Sequence, residues 1–224
     1  MCARYTETQP AEQLLQTFQV KSIDPFKPGY NIAPTREAPV ITAEEPNRIQ
    51  AFHFGLVPFW ADDTRIGSKL LNARSEGLLE TKVFKPLMMH HKRCLVIADG
   101  FYEWKAENNG KQPYRFALAD GEKPFAFAGL WSQWKNPETK RYYNSFSILT
   151  GKPNQQVATL HDRMPIMLHP EEQKLWLATD VPVQELMQLC KPFPDEEMVM
   201  YPVSKEVNKT VNDYAELILP ANSK

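Results

Sequence analysis

Short runs of β-branched and aromatic residues recur through the middle of the chain, and turn-forming residues separate them. Two such turn signals are NNG (108–110) and ADG (119–121). Runs of this length between turn formers are typical of antiparallel strands joined as hairpins. The strands predicted in this way are RCLVIA (93–98), PYRFALA (113–119), FAFAGLW (125–131) and SFSILT (145–150).

Helical patterns are fewer, and they lie towards the two ends of the chain. The predicted helices are PAEQLLQTF (10–18), HPEEQKLWLATD (169–180) and VPVQELMQLC (181–190). The first two begin near a proline, which suits the first turn of a helix because its ring fixes φ. Strands and helices do not alternate regularly, so a doubly wound fold is not expected. The predicted fold class is α+β with a strand-dominated core.

Composition is that of an ordinary soluble globular protein. The 224 residues are 42% hydrophobic and 24% charged, with a formal net charge of −1 at pH 7. This length predicts one domain spanning residues 1–224. The near-neutral balance excludes a protein that holds nucleic acid by bulk charge, but it is compatible with a local basic face.

Neither a membrane segment nor a cysteine framework is predicted. No apolar run approaches the roughly 20 residues that span a bilayer, and the N-terminus lacks the pattern of a secretory signal. Cys2, Cys94 and Cys190 are odd in number and scattered, which argues against disulfides and against a zinc site. A reducing cytoplasm is the expected location.

Four stretches are difficult to explain by packing alone. They are GYNIAPT (29–35), GLVPFWADD (55–63) continuing to LLNARSEG (70–77), ADGFYEWK (98–105) and LHDRMPIML (160–168). Each also has an ordinary structural explanation: Asn72 as an Asx-turn, Glu103 as a solvent-facing strand residue, His161 as a cap, and Phe59 with Trp60 as core. None matches a phosphate loop, a nucleophile elbow or a spaced metal cluster.

Cys2 raises a separate question, because removal of Met1 would leave it with a free α-amine beside its thiol. Such a 1,2-aminothiol can capture an aldehyde as an imine and close it into a thiazolidine ring. The α-amine titrates near ~8 and the thiol near ~8.5, so a useful fraction of each nucleophile exists at neutral pH. From these residues alone, an accidental Met-Cys start is the favoured interpretation.

Several uncommon short sequence motifs occur together along the chain, in a fixed order and at a fixed spacing. They are MCARY at the start, YNIAPT, GLVPFWADD, LNARSEG, FKPL (84–87), ADGFYEWK, LHDRMPIML and YPVSKEVN (201–208). With them the chain resembles the SOS-response-associated peptidase (SRAP) family of abasic-site-processing proteins, from residue 2 to about residue 219. The resemblance implies the SRAP fold, a mostly antiparallel β-barrel-like core with a few flanking helices. Ala3 stands where the family usually has glycine, and Phe59 where some members have tryptophan.

The resemblance implies that Cys2 forms a thiazolidine crosslink with the ring-opened sugar of an abasic site. Asn72 would then hydrogen-bond the adduct, Glu103 would act near the α-amine, and His161 would serve as acid and base on the sugar. Lyase-type imine chemistry, reversal of the crosslink and self-removal of Met1 are further activities that the resemblance implies. A cellular aminopeptidase would be an alternative route to removal of Met1.

The partner implied by the resemblance is single-stranded DNA that contains abasic sites, including sites at junctions with duplex DNA. The expected DNA contacts are Arg4, Asn31, Phe59, Trp60, Arg74 and Arg163. Guanidinium groups bind phosphate oxygens in a bidentate manner, and aromatic rings offer faces to unstacked bases. Neither a metal nor a cofactor is expected. The protein would act as a cytoplasmic monomer, associated with the nucleoid when it is on DNA.

Two other functions remain open from the sequence. In the first, Cys2 attacks an amide and its own amine is the base, as in an N-terminal-nucleophile amidohydrolase. In the second, the protein is a non-catalytic reader of modified or junction DNA, and Cys2 has no role.

Overall fold

Strands dominate the structure, a computed structural model that describes residues 3–107 and 110–221. The strands within these ranges are β1 (Tyr5–Glu7), β2 (Ser22–Ile23), β3 (Gly29–Ile32), β4 (Glu37–Thr42), β5 (Arg48–Phe54), β6 (Asn72–Arg74), β7 (Arg93–Ala98), β8 (Gly100–Glu107), β9 (Gly110–Leu118), β10 (Phe125–Lys135), β11 (Tyr142–Gly151), β12 (Met164–Pro165), β13 (Met167–Leu168) and β14 (Met198–Pro202). The α-helices are α1 (Ala11–Thr17), α2 (Phe84–Met89), α3 (Gln155–Ala158), α4 (Pro170–Leu177) and α5 (Val183–Gln188). Short 3-10 helices cover Thr64–Lys69, Ser75–Glu80, Asp195–Glu197, Lys205–Asn208 and Ala215–Ile218.

Five of these strands close into a barrel. β11 pairs with β10, β10 with β7, β7 with β4, and β4 with β5, each time antiparallel. β5 then pairs in parallel with β11, where His53 lies opposite Ser145 and Phe54 opposite Phe146. This short parallel seam completes the ring, so the expected strand-dominated α+β fold with a mostly antiparallel barrel is confirmed.

A second sheet carries the strand order β14-β9-β8-β1-β3 and packs against the barrel. Its link to the barrel is Tyr5 on β1, whose ring meets Phe54 and Phe127 edge-on at centroid distances of 5.5 and 6.0 Å. Edge-to-face contacts of this kind add to the burial of the rings themselves. β1 is thereby fixed by the hydrophobic core as well as by its two neighbouring strands.

Both faces of the central barrel strand β7 are buried, which explains its uninterrupted apolar run. Cys94, Val96 and Ala98 point into the core that the barrel shares with the second sheet. Leu95 and Ile97 point outward, into a layer covered by the helices. A strand covered on both sides reads as continuous apolar sequence rather than as an alternating pattern.

Helices α2 and α4 are attached to the barrel through Arg93, a fully buried cation at the start of β7. Arg93 donates from Nε to the Trp176 carbonyl at 2.7 Å and from Nη2 to the Ala178 carbonyl at 2.5 Å. It also reaches the Met88 carbonyl at 3.4 Å. These acceptors belong to the last turns of α4 and α2, where backbone carbonyls lack partners within the helix.

The elements predicted from the hydrophobic pattern are confirmed. All four predicted strands are present as β7, β9, β10 and β11, and all three helices are present as α1, α4 and α5 in slightly shorter form. Gly121 of the ADG turn has φ 112°, a left-handed conformation that favours glycine. Asn108 and Asn109 of the NNG turn lie outside the described residues, and β8 and β9 pair as far as Glu107 and Gly110. No helix of the described chain is both long and apolar enough to cross a membrane.

At its inner end β1 enters a buried polar cluster. Asp99 accepts hydrogen bonds from the Thr8 backbone at 2.7 Å and from the Gln9 side chain at 3.2 Å. The Arg115 guanidinium lies 3.4 Å from the same carboxylate. Glu7 is also fully buried, and its Oε1 accepts from the Gln9 backbone at 2.9 Å. Burial raises the pKa of Glu7 well above its usual value, and the charge of Asp99 raises it further.

The Glu7 carboxyl predicts that stability falls as the pH rises. A carboxyl whose pKa is raised by folding stabilises the protein fully below its unfolded pKa, and the contribution is lost as the pH rises through the folded value. Glu7→Gln keeps the acceptor for Gln9 and removes the charge facing Asp99. We expect the variant to gain on the order of 1 kcal/mol in free energy of unfolding at pH 7, and to lose less stability between pH 5 and 8.

Urea unfolding followed across that pH range measures both effects. Glu12→Gln on the exposed face of α1 is the matched control, since it removes the same charge without burial. An equal gain in the two variants would show that the burial of Glu7 has no energetic consequence.

Candidate functional site

A cavity of about 440 Å³ opens at the end of the second sheet where β1 begins. Its lining comes from distant parts of the chain and consists of Ala3, Arg4, Glu103, Trp104, Lys111, His161 and Asn208. It therefore brings together three of the predicted site residues, Arg4, Glu103 and His161.

The register between β1 and β8 creates this cavity. Tyr5 lies opposite Phe101, and the Tyr102 backbone donates to the Arg4 carbonyl at 3.0 Å. One step further along the antiparallel pair, Ala3 comes beside Glu103. Cys2 lies outside the described residues, and Ala3, which follows it in sequence, lines the cavity.

Glu103 points into the protein, so its explanation as a solvent-facing strand residue is wrong. Only 3% of the surface of Glu103 is exposed to solvent. Burial raises the pKa of the Glu103 carboxyl, while the nearby charge of His161 acts in the opposite direction. His161 is thus close enough to influence the protonation of Glu103.

His161 is held by its Nδ1 atom. The Arg163 backbone N–H donates to Nδ1 at 3.0 Å, and an oxygen of the exposed Asp162 carboxylate lies 2.9 Å from the same atom. In the neutral ring Nδ1 accepts from Arg163, which leaves the ring proton on Nε2. In the charged ring Nδ1 donates to Asp162. These two contacts fix the orientation of the ring, which lines the cavity.

Arg4 is fixed by Asn31 and by the C-terminal segment. Its Nη1 donates to Asn31 Oδ1 at 2.8 Å and to the Val207 carbonyl at 3.0 Å. Asn31 is 1% exposed, and its amide donates to the carbonyls of Val207, Lys209 and Asn212 at 2.9–3.1 Å. A DNA contact by Asn31 does not fit this arrangement, because the side chain faces protein and its donors are used there. The geometry favours a positioning role beneath Arg4.

Asn72 and Arg74 are placed by another part of the fold, and neither is among the residues that line this cavity. They lie on β6, which pairs in parallel with β11 so that Asn72 is opposite Ile148 and Arg74 opposite Thr150. Asn72 is half-buried, whereas Arg74 is exposed. The strand pairing, and not an Asx-turn, sets the position of Asn72.

Arg163 approaches the same point of β11 from the other side and is largely buried there. Its guanidinium binds Glu76 in a bidentate manner, at 3.2 and 2.8 Å, and donates to the Thr150 carbonyl at 2.6 Å. The hydrogen bond from Arg163 lowers the pKa of Glu76. A phosphate at Arg163 would have to compete with this carboxylate, whereas Arg74 is presented to solvent.

Phe59 and Trp60 are not core residues. Their surfaces are 73% and 53% exposed, on the loop that follows β5. Two neighbouring large aromatic side chains in water are unusual, and such exposure commonly marks an interaction surface. They do not line the cavity at Ala3.

Four lining residues were not predicted as site residues, and one of them is Ala3, which follows Cys2 in the sequence. Trp104 and Asn208 are joined by a hydrogen bond from indole Nε1 to Oδ1 at 2.7 Å, and they form one wall of the cavity. Trp104 belongs to the motif ADGFYEWK and Asn208 to the motif YPVSKEVN, so the sequence contained a signal for both residues. Lys111, on the hairpin formed by β8 and β9, belongs to none of these motifs.

A larger cavity of about 1070 Å³ lies at the opposite end of β9, beside Leu118 and α1. None of the predicted site residues lines it, so the smaller cavity is the better candidate. Across residues 3–107 and 110–221, no group of three or more His, Cys, Asp or Glu side chains is placed to hold a metal ion.

Known proteins share this sequence and architecture. A family model described as SOS response associated peptidase (SRAP) matches residues 1–210. Abasic site processing protein YoqW of Bacillus subtilis (strain 168) is 38% identical over 225 residues, covering 97% of this chain and 99% of that protein. Abasic site processing protein YedK of Escherichia coli (strain K12) is 29% identical over 229 residues, covering 98% and 100%.

A solved structure extends the likeness to the fold. The crystal structure of a protein from Bacteroides thetaiotaomicron, 28% identical, matches with a TM-score of 0.84 over 92% of this chain and 93% of that one. The likeness in sequence and in fold thus extends over nearly the whole length of the chain. The chain belongs to the SOS response associated peptidase (SRAP) family.

Proposed function

We propose that this protein processes abasic sites in single-stranded DNA, and that it does so by bonding to them covalently through Cys2 after Met1 has been removed. The relatives YoqW and YedK are named abasic site processing proteins. A ring-opened abasic sugar presents an aldehyde, and an N-terminal cysteine is suited to capture it.

The observation that carries the proposal is the hydrogen bond between the Tyr102 backbone and the Arg4 carbonyl, at 3.0 Å. It fixes Arg4 against β8, and Ala3 shares a cavity with Glu103 and His161. An amine and a thiol on the preceding residue would then meet a buried carboxyl and an imidazole. These are the groups that aldehyde condensation needs for proton transfer.

In the proposed reaction, the α-amine of Cys2 adds to the aldehyde carbon, and the resulting carbinolamine loses water to give an imine. The thiolate then bonds to the imine carbon, and the nitrogen takes up a proton to complete the thiazolidine. Burial raises the pKa of the Glu103 carboxyl and so favours its protonated form, which makes this side chain suited to protonate the leaving water. His161 acts on the sugar, and Asn72 hydrogen-bonds the adduct.

The imine is also the branch point for the further activities in the proposal. From the imine, removal of a proton from the neighbouring sugar carbon and departure of the phosphate would cleave the strand, as in a lyase. Reopening of the thiazolidine ring to the imine, followed by hydrolysis of the imine by one water, would release the DNA. Self-removal of Met1 would be the peptidase step of the scheme.

The first test concerns Cys2. Protein mixed with single-stranded DNA carrying one abasic site should give an adduct that survives denaturation. Its intact mass should equal that of the DNA plus protein lacking Met1, less one water. Cys2→Ala should abolish the adduct, whereas Cys190→Ser should retain it, because burial raises the pKa of that thiol to about 12 and leaves it unreactive.

Other results would favour the rival functions. Full crosslinking by protein that retains Met1 would rule out the thiazolidine. DNA binding with no adduct, unchanged in Cys2→Ala, would indicate a non-catalytic reader. Amide hydrolysis without an aldehyde adduct would indicate an amidohydrolase.

A second test separates Glu103 from His161. Glu103→Gln keeps the shape of the side chain but cannot exchange a proton, so thiazolidine formation and its reversal should both slow while the final extent changes less. His161→Gln should slow the opening of the cyclic sugar. A small aldehyde that needs no ring opening should therefore restore the rate of the His161 variant and leave the Glu103 variant slow. Equal rescue would mean that both side chains act on one common step.

A third test uses the different surroundings of the two arginines. Arg74→Ala should weaken DNA binding and lower the dependence of log affinity on log salt by about 0.7, the value for one phosphate of a single strand. Arg163→Ala should in addition lower the free energy of unfolding by on the order of 1 kcal/mol, because Glu76 and Thr150 lose their partner. Titrations at several salt concentrations and thermal unfolding measure both effects. Lys21→Ala, an exposed charge change, is the control; an Arg74 variant with its salt dependence unchanged would make Arg74 structural.

A further inference from the structure

The loop that carries Phe59 and Trp60 is hydrogen-bonded to β11 at two points and to β10 at a third. The Gly55 N–H donates to the Phe146 carbonyl at 2.9 Å, and the Val57 N–H donates to Ser145 Oγ at 2.8 Å. The Trp134 indole then donates to the Ala61 carbonyl at 2.6 Å.

These bonds give the loop a direction. Trp134 is paired with Tyr143, so the contacts progress along β11 from Phe146 through Ser145 to the level of Tyr143. The loop therefore runs towards the turn between β10 and β11. The bond to Trp134 places Ala61 at about the level of Tyr143, which lies only two residues from Arg141 at the basic end of this turn.

The turn between β10 and β11 is basic and aromatic. Between Gln133 and Asn144 the sequence is QWKNPETKRYYN, which contains three cations and a single acid. Lys135, Lys140 and Arg141 are exposed. Tyr142 is 64% exposed, with the Lys135 ammonium 5.6 Å from its ring centroid. We call residues 135–142 the basic hairpin tip.

We propose that the basic hairpin tip is a second DNA-binding surface, which holds the phosphates and a base of the strand that continues past Trp60. This inference rests on the proposed function, because it takes the same DNA to be bound. Cations beside an exposed aromatic ring are the combination that binds single strands without reading their sequence.

Rigidity of the connection supports the assignment. Trp134 is buried, and Tyr143 stacks on His53 with ring centroids 4.0 Å apart across the seam between β5 and β11. The aromatic loop and the basic hairpin tip are therefore fixed to one framework. DNA bound by one of them is presented to the other without a conformational change.

The test uses DNA with a ring-closed abasic analogue that has no aldehyde, so that binding is measured without crosslinking. Three oligonucleotides are compared by fluorescence anisotropy: a short one around the lesion, one extended on the 5′ side and one extended on the 3′ side. The variant is Lys140→Gln with Arg141→Gln. Lys123→Gln with Lys174→Gln is the matched control, since these exposed lysines border the cavities on the α1 and α4 side of the molecule.

We expect the Lys140/Arg141 variant to lose affinity for one of the two extended oligonucleotides, with a salt dependence lower by about 1.4, the value for two phosphates. Tyr142→Ala should weaken binding of the same oligonucleotide by on the order of fivefold, with the salt dependence unchanged. Binding of the short oligonucleotide should remain as in the unmodified protein.

Equal losses with all three oligonucleotides, or equal losses in the control, would overturn the proposal. So would unchanged binding of both extended oligonucleotides. The proposed covalent chemistry is tested separately by adduct formation with a small aldehyde, which the basic hairpin tip does not touch. A protein that forms no such adduct refutes that chemistry and leaves the DNA-binding comparison to decide about the tip.

Discussion

The pairing of β1 with β8 is the constraint on which the rest of the site depends. Strand β1 has three residues, too few to be stable by its own hydrogen bonds. Its position is fixed because the Tyr5 ring is buried against the barrel, so the geometry of the cavity follows from hydrophobic packing about two residues away. One end of the strand places Ala3 beside Glu103, and the other end places Glu7 near Asp99.

The elements that could be predicted are those with a strong local signal. The run 93–98 is a strand because apolar β-branched residues fill both of its faces, and α4 begins where Pro170 follows His169. The parallel pairing of β6 and of β5 with β11 could not be predicted, since each involves only two or three residue pairs. Such short contacts have no periodicity of their own. They are set by the closure of the barrel.

The candidate site was predicted in part for a similar reason. The sequence motifs identified Arg4, Glu103 and His161, and the structure brings these three residues together in one cavity. The sequence could not show that the Asn31 amide donates hydrogen bonds to backbone carbonyls more than 170 positions away, or that Arg163 is bound to Glu76. The same side chains can contact DNA or hold the protein together, and only the neighbours decide. Lys111 shows the converse, a residue without any motif that borders the cavity.

The place of β1 between β3 and β8 has a mechanical consequence. If DNA is bonded to Cys2 as proposed above, any pull on that DNA would be transmitted through Ala3 to β1. An edge strand under tension can peel away one bond at a time, but β1 is held on both sides and anchored by a buried ring. The load would be shared by two hydrogen-bonded ladders and by the core of the barrel. In the proposed crosslink, β1 would thus be a tether that resists extraction by machinery moving along DNA.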